Sequence, residues 1–165
     1  MRRIIIIGCG GAGKSMLAVK LGKKLNIPVV HLDRLSWRAG WQNVSRDEFD
    51  SRLLEELARP EWIIDGNYYR TLPWCLELCD CAVYLDYPRI VCLWGVISRV
   101  VRNHGRTRPD MADGCPERMD GEFLKWIWDY NRNFRTKLYD MLNSSGKRVV
   151  VLKSRREAQR LLDIL

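Results

Sequence analysis

The residues Gly8, Gly13, Lys14 and Ser15 stand at the spacing G-x-x-x-x-G-K-S, and this spacing suits phosphate chemistry. The glycines between Gly8 and Gly13 let the backbone turn sharply, so its N–H groups come close to phosphate oxygens. Lys14 is placed to reach the β- and γ-phosphates of a nucleoside triphosphate. The Ser15 hydroxyl is placed to ligate Mg²⁺. Gly8, Cys9, Gly10, Gly11, Ala12, Gly13, Lys14, Ser15 and Met16 are therefore the expected ATP-binding segment, with ATP and Mg²⁺ as cofactors.

Two acids and a basic cluster are the candidates for the rest of a phosphoryl transfer. Asp65 ends an apolar stretch, as an acid that positions Mg²⁺ should. Asp86 is its rival, although Asp86-Tyr87-Pro88 also reads as turn and helix-start chemistry. Asp33 suits a general base that faces the acceptor hydroxyl; its other reading is a solvated loop carboxylate. Trp37 and Trp41, close behind, could stack on a planar acceptor or serve as lid packing. Arg99, Arg102, Arg106 and Arg108 fall within one short basic stretch, and Arg132 and Arg135 follow. Guanidinium forks on a movable segment match the charge spread over a phosphoryl group in transfer. The competing reading is a nucleic-acid patch, which a net charge of +8 also permits. Asp110, Asp113, Glu117 and Asp120 could hold the segment open through internal pairs.

These side chains need elements to carry them. Four consecutive isoleucines, Ile4 to Ile7, suit a central parallel strand covered on both faces. Lys14 to Leu25 reads as a helix with Leu17, Leu21 and Leu25 on one face. Val29 to Leu32 reads as a second strand and is followed by a loop. Ser45-Arg46-Asp47-Glu48 is a capping box in front of a helix faced by Phe49, Leu53, Leu54 and Leu57. Trp62 to Ile64, Cys81 to Leu85 and Arg148 to Leu152 supply three more strands. Helices are expected over Thr71 to Cys79, over Arg89 to Val101, from Met119, and behind the capping box Ser154 to Glu157. His104 to Arg118 has no periodicity and reads as a long surface loop of the functional kind. Strands that alternate with helices predict an α/β fold, with helices on both faces of a five-stranded parallel sheet. Ligands in such sheets bind beyond the carboxyl ends of the strands, where the candidate residues fall.

A chain of 165 residues, 47% hydrophobic and 29% charged, suits a single domain over residues 1–165. Met1 leads directly to Arg2, Arg3 and the first strand, and the apolar run behind them is too short for a membrane span or a signal segment. A cytoplasmic protein without a membrane partner is the expectation. The six cysteines form no C-x-x-C pair and have no neighbouring histidine, so they read as buried free thiols.

Over nearly its whole length the chain resembles the bacterial DNA topology modulation protein family, itself similar to adenylate kinases. The resemblance rests on the stretch Ile6 to Ser15, His31-Leu32-Asp33 with a later Trp, Trp62 to Tyr68, Leu85 to Arg89, Gly105 to Ala112, Gly114 to Glu117 and Trp126-Ile127-Trp128. It implies a three-layer P-loop fold of the nucleoside-monophosphate-kinase type, with sheet order 2-3-1-4-5 and a lid over about residues 102–118. It places Gly8 to Ser15 on ATP, Asp65-Gly66 beside acceptor and metal, and Arg102, Arg106 and Arg108 in the lid. The sequence departs from adenylate kinases at Gly95, where an arginine is usual, at Met16, and after Asp65-Gly66, where Phe-Pro-Arg is missing and Arg70 is the nearest replacement. The expected activity is transfer of the γ-phosphate of ATP to a nucleotide or another small acceptor. The alternative is a nucleic-acid-associated or regulatory NTPase linked to DNA topology.

Overall fold

The isoleucine run is enclosed: Ile4 to Ile7 are buried without a break. Successive strand residues point to opposite faces, so unbroken burial means that both faces are covered. The computed structural model, which describes residues 2–165, puts this strand, β1 (Arg3–Gly8), at the centre of a five-stranded sheet. It pairs in parallel with β5 (Trp62–Asp65) on one side and β6 (Cys81–Leu85) on the other. β2 (Val29–His31) closes the sheet beyond β5, and β7 (Arg148–Leu152) closes it beyond β6. Counted along the chain within this sheet, the order is 2-3-1-4-5, as expected.

The helices are α1 (Lys14–Leu25), α2 (Leu32–Ser36), α3 (Arg46–Leu57), α4 (Leu72–Leu78), α5 (Arg89–Asn103), α6 (Gly121–Ser144) and α7 (Arg155–Ile164). Both capping boxes form: Ser45 accepts from the Glu48 N–H, and Ser154 from the Glu157 N–H. Asp120 caps α6 by accepting from the Glu122 and Phe123 amides. None of the helices among the described residues is long and apolar enough to cross a membrane.

Several expectations need correction. The second strand stops at His31, so Leu32 and Asp33 open the short helix α2 instead of ending a strand. The Trp37–Trp41 segment is a small hairpin of β3 (Trp37–Arg38) and β4 (Gln42–Asn43), turned at Gly40 and Trp41 with positive φ. Leu54 lies on the exposed side of α3, because Phe49, Leu53 and Leu57 already fill its buried face. Helix α5 runs on to Asn103. The α5–α6 connection is no plain surface loop: Met111, Ala112 and Cys115 form a second small core with Trp37 and Trp41.

Candidate functional site

The phosphate loop leaves β1 at Gly8 and enters α1 at Lys14. Gly11 and Gly13 take positive φ, which glycine alone adopts without strain. The first turn of α1 has no side-chain cap and no acidic residue, so its N–H groups are left for an anion. Lys14 Nζ donates to the Cys9 carbonyl at 3.1 Å and so lies against the loop. The loop is braced from behind. A Cβ on Gly11 would meet the Cys92 carbonyl oxygen at 2.1 Å, and one on Gly95 would meet the Gly11 oxygen at 2.1 Å. Gly95 is therefore a packing glycine where α5 crosses the loop. Phe123 of α6 covers Gly10 in the same way, at 2.7 Å. The Cys9 thiol is held protonated by its hydrogen bond to Cys92 and by burial. All six cysteines are free and buried, and the described residues hold no cluster of three or more His, Cys, Asp or Glu side chains.

Asp33 faces this loop from α2. Burial pushes its carboxyl above the usual carboxylate range. The Lys14 charge and a 2.8 Å hydrogen bond from the Tyr68 hydroxyl oppose that rise; Asp65 adds to it, and Arg108 opposes it. Lys14, Tyr68, Asp65 and Arg108 thus all act on one carboxylate. They come from α1, the segment behind β5, the end of β5 and the α5–α6 connection.

Asp65 is buried at the carboxyl end of β5 and bonds through Oδ1 to His31 Nδ1 at 2.6 Å. Burial disfavours the charged imidazole, but the hydrogen bond and the charge of Asp65 outweigh it and raise the His31 pKa. Sequence reading passed over this partner. Its signal was present: His31 and Asp65 end adjacent strands of the expected order, and they are partners in the register. Tyr68 was also missed as the partner of Asp33, because its bond spans 35 positions.

Asp86 plays another part. Its buried carboxylate accepts from Arg135 Nε at 2.9 Å, from Arg135 Nη2 at 2.7 Å and from the Tyr139 hydroxyl at 2.8 Å. It anchors α6 and does not cap α5, whose N-cap is Pro88. Arg135 is engaged there, and Arg132 is exposed and paired with Asp129 at 3.1 Å, so neither belongs to the group around Asp33.

In the α5–α6 connection, Glu117 is buried between two guanidinium groups. Arg99 Nη2 lies 3.0 Å from its Oε1, and Arg108 Nε lies 2.6 Å from its Oε2. Arg108 also pairs with Asp110 at 2.7 Å. These internal pairs fold the segment down; they do not hold it open. It is docked on the hairpin by Gly40 N–H to the Gly114 carbonyl at 2.8 Å, Trp41 Nε1 to the Pro116 carbonyl at 3.1 Å, and Arg34 to the Pro109 carbonyl at 3.2 Å. Trp37 and Trp41 meet edge to face at 5.5 Å and serve this contact. Arg102 and Arg106 are exposed, with no carboxylate in ion-pair distance among the described residues.

Two cavities open on the surface. One of about 410 Å³ lies beside Tyr68, between α3 and the segment behind β5. The other, about 470 Å³, lies between α4 and the end of α6, at the amino ends of the strands and away from the phosphate loop.

No protein-family description matches the chain, and no curated protein matches it. Solved structures do. A shikimate kinase from Acinetobacter baumannii in complex with shikimate superposes with a TM-score of 0.61 at 18% identity, over 99% of this chain and 92% of that one. Shikimate kinase from Bacteroides thetaiotaomicron gives 0.58 at 19%, over 99% and 97%. That from Aquifex aeolicus gives 0.57 at 16%, over 98% and 92%. At these identities the likeness establishes the fold: an α/β domain fold with a five-stranded parallel sheet, of the P-loop kinase type.

Proposed function

We propose that the protein is an ATP-dependent phosphotransferase acting on a small-molecule acceptor. The observation that carries this reading is the phosphate loop: Gly8 to Lys14 opens on an α1 N-terminus without a side-chain cap or an acid, with Lys14 Nζ lying against it at 3.1 Å from the Cys9 carbonyl. A phosphate-loop lysine, two acids and a guanidinium from a covering segment are what in-line transfer of a phosphoryl group needs.

In this reading the loop amides from Gly8 to Ser15 and the open N-terminus of α1 bind the ATP phosphates, and Lys14 swings from the Cys9 carbonyl to the β- and γ-oxygens. The donor set fits Mg²⁺, which prefers phosphate oxygens and water to an all-protein cage: the Ser15 hydroxyl lies at the loop, and Asp65 keeps Oδ2 clear of its bond to His31. Bound there, Mg²⁺ would supply positive charge to the transferring phosphate. Asp33 orients the acceptor hydroxyl and takes its proton; a raised pKa makes it a better base. Arg108 faces the developing charge, and the docked segment excludes water. Arg102 and Arg106 provide further free cations at its edge.

The structural neighbours are shikimate kinases, one of them in complex with shikimate, and this supports an acceptor of small size. The expected resemblance to the DNA topology modulation family finds no support in a family description or a curated protein, and it adds no reaction. Nucleic acid ranks second as a partner, since Arg99 and Arg108 already face Glu117 and Asp110. A cytoplasmic setting suits six free thiols.

The test is ADP release from ATP·Mg²⁺ with a panel of nucleotides, nucleosides, sugars and hydroxy acids. At least one acceptor should raise release above the acceptor-free rate, and Lys14→Ala should lower that rate about 100-fold or more. A panel in which no acceptor raises release refutes the reading.

A further inference from the structure

Two carboxylates stand in the candidate site, and each accepts from one side-chain donor. Asp33 accepts from the Tyr68 hydroxyl at 2.8 Å, and Asp65 accepts from His31 Nδ1 at 2.6 Å. The second bond is the shorter, and it is closely buried: the side chains of His31 and Asp65 are 12% and 3% exposed.

The backbone brings this pair together. His31 is the last residue of β2 and Asp65 the last of β5, and they are register partners in neighbouring parallel strands. Their side chains therefore leave the sheet on the same face. His31 also stands at the N-cap of α2, but its side chain makes no cap bond there. The imidazole is given over to Asp65. A carboxylate partner selects the tautomer with the proton on Nδ1. That N–H is present in the neutral and the charged ring alike, so the bond does not depend on the charge of His31.

A carboxylate at a strand end turns easily about its Cβ–Cγ bond, and its two oxygens are equivalent. One short bond on Oδ1 fixes the plane and leaves one oxygen over. Among the described residues no side-chain donor reaches Oδ2, and Oδ2 is not one of the side-chain oxygens sealed inside without a partner. The sheet order sets the two flanks. β5 lies between β2 and β1, so the imidazole holds Asp65 from the β2 flank, and the phosphate loop leaves β1 on the other. Without the imidazole the Asp65 carboxylate would be free to turn in a site where its charge already acts on Asp33.

We infer that His31 is a positioning residue for the metal: its Nδ1–H holds Asp65 Oδ1, so that Oδ2 is kept for the Mg²⁺ that accompanies ATP. This rests on the phosphotransferase reading above and on the fit of Ser15 and Asp65 to Mg²⁺ given there. In this role His31 touches neither substrate nor metal and acts through Asp65. Donors that orient a metal-binding side chain from behind are worth about 10–100-fold in metal affinity.

The experiment reads binding and not transfer. Adenylyl imidodiphosphate, which resists hydrolysis, is titrated by calorimetry into wild type, His31→Leu and His31→Asn, once with Mg²⁺ and once in EDTA. The ratio of the two affinities is the contribution of the metal. His31→Leu keeps bulk but has no donor; it should lower the ratio about tenfold or more and leave the affinity in EDTA within about twofold of wild type. His31→Asn places an amide N–H near the position of Nδ1 and should restore most of the ratio. The wild-type ring supplies a second measurement, which needs no variant at His31. The chain has two histidines, so His104→Gln assigns the imidazole nitrogen signals of His31 by NMR. Those signals should shift when Mg²⁺ is added to protein already saturated with the nucleotide. A ratio of one in wild type, an unchanged ratio in folded His31→Leu, equal losses with and without metal, an Asn variant no better than Leu, or ring nitrogens unmoved by Mg²⁺ overturns the inference. None of these readouts needs an acceptor. An acceptor panel without ADP release therefore refutes the phosphotransferase reading and leaves the ratio standing, whereas an unchanged ratio beside an active panel refutes the role of His31 alone.

Discussion

Glu117 is the point at which the covering segment can be released with one atom exchanged. Glu117→Gln keeps the shape and one acceptor oxygen but removes the charge between Arg99 and Arg108. Breaking a buried pair by removing one partner costs about 3–5 kcal/mol, because the remaining charge is left without compensation. The side chains of Arg99 and Arg108 are 25% and 14% exposed, and Asp110 still holds Arg108, so solvent and the second carboxylate recover part of this cost. A loss of about 2–3 kcal/mol follows. At about 2–4 °C per kcal/mol for a chain of this size, the melting temperature should fall by about 5–10 °C. The loss should be local first. Glu117 also holds its neighbours through its backbone, with Gly105 N–H to its carbonyl at 3.1 Å and its own N–H to the Arg106 carbonyl at 2.9 Å. Amide exchange at Gly105 and Glu117 should accelerate far more than exchange in β1 or β6, whose opening requires global unfolding. ATP should restore part of the protection, since phosphate oxygens can take the place of the lost carboxylate opposite Arg108. Scanning calorimetry and exchange measured by mass spectrometry, with and without ATP, test this together. A melting temperature within 1 °C of wild type, or unchanged exchange at these two amides, refutes the view that Glu117 pins the segment.

Two further perturbations probe the frame of the site. Gly95→Ala places a methyl group 2.1 Å from the Gly11 oxygen, so α5 must move off the phosphate loop; ATP affinity should fall tenfold or more in a folded protein, and calorimetric titration checks it. For Asp86, burial favours the neutral acid, but the bonds from Arg135 and Tyr139 outweigh it and hold the carboxyl below its usual range. A depressed folded pKa gives stability that is present above the unfolded value of about 3.9 and is lost as the pH falls through the lower folded value. Asp86→Asn should therefore destabilise by about 1–3 kcal/mol at pH 7, reduced by the half-exposed Arg135, and should flatten the acid side of the melting curve below about pH 4. Melting temperatures from pH 2 to 7 decide it; equal slopes in the two proteins would show that the pair has no linkage to stability.

The donor half of the site was legible because it is contiguous. Gly8 to Ser15 is one strand end, one turn and one helix start, and every constraint on it is local. The parallel sheet followed from the alternation of strands and helices, and its order only from what the resemblance implies. The sequence puts Asp33 at a strand end, whereas it lies in α2, since Leu32 to Ser36 is too short to show a period. The Trp37 and Trp41 pair stayed open between stacking on a ligand and packing, because its partners Met111, Ala112 and Cys115 lie some 70 positions away. The basic residues were over-read for the same reason: charge near the site in sequence says nothing about which carboxylate it meets in space. Arg135 meets Asp86, Arg70 meets Asp50, and Arg99 meets Glu117, so three of the candidate phosphate ligands are engaged within the protein. That elimination is itself informative. A guanidinium at a ligand site must be desolvated or partnered, and the partners decide which ones remain available. The cavity beside Tyr68 has a wall assembled from α2, α3 and the segment behind β5. No single stretch of sequence contains that wall, so its shape is legible only in the folded chain.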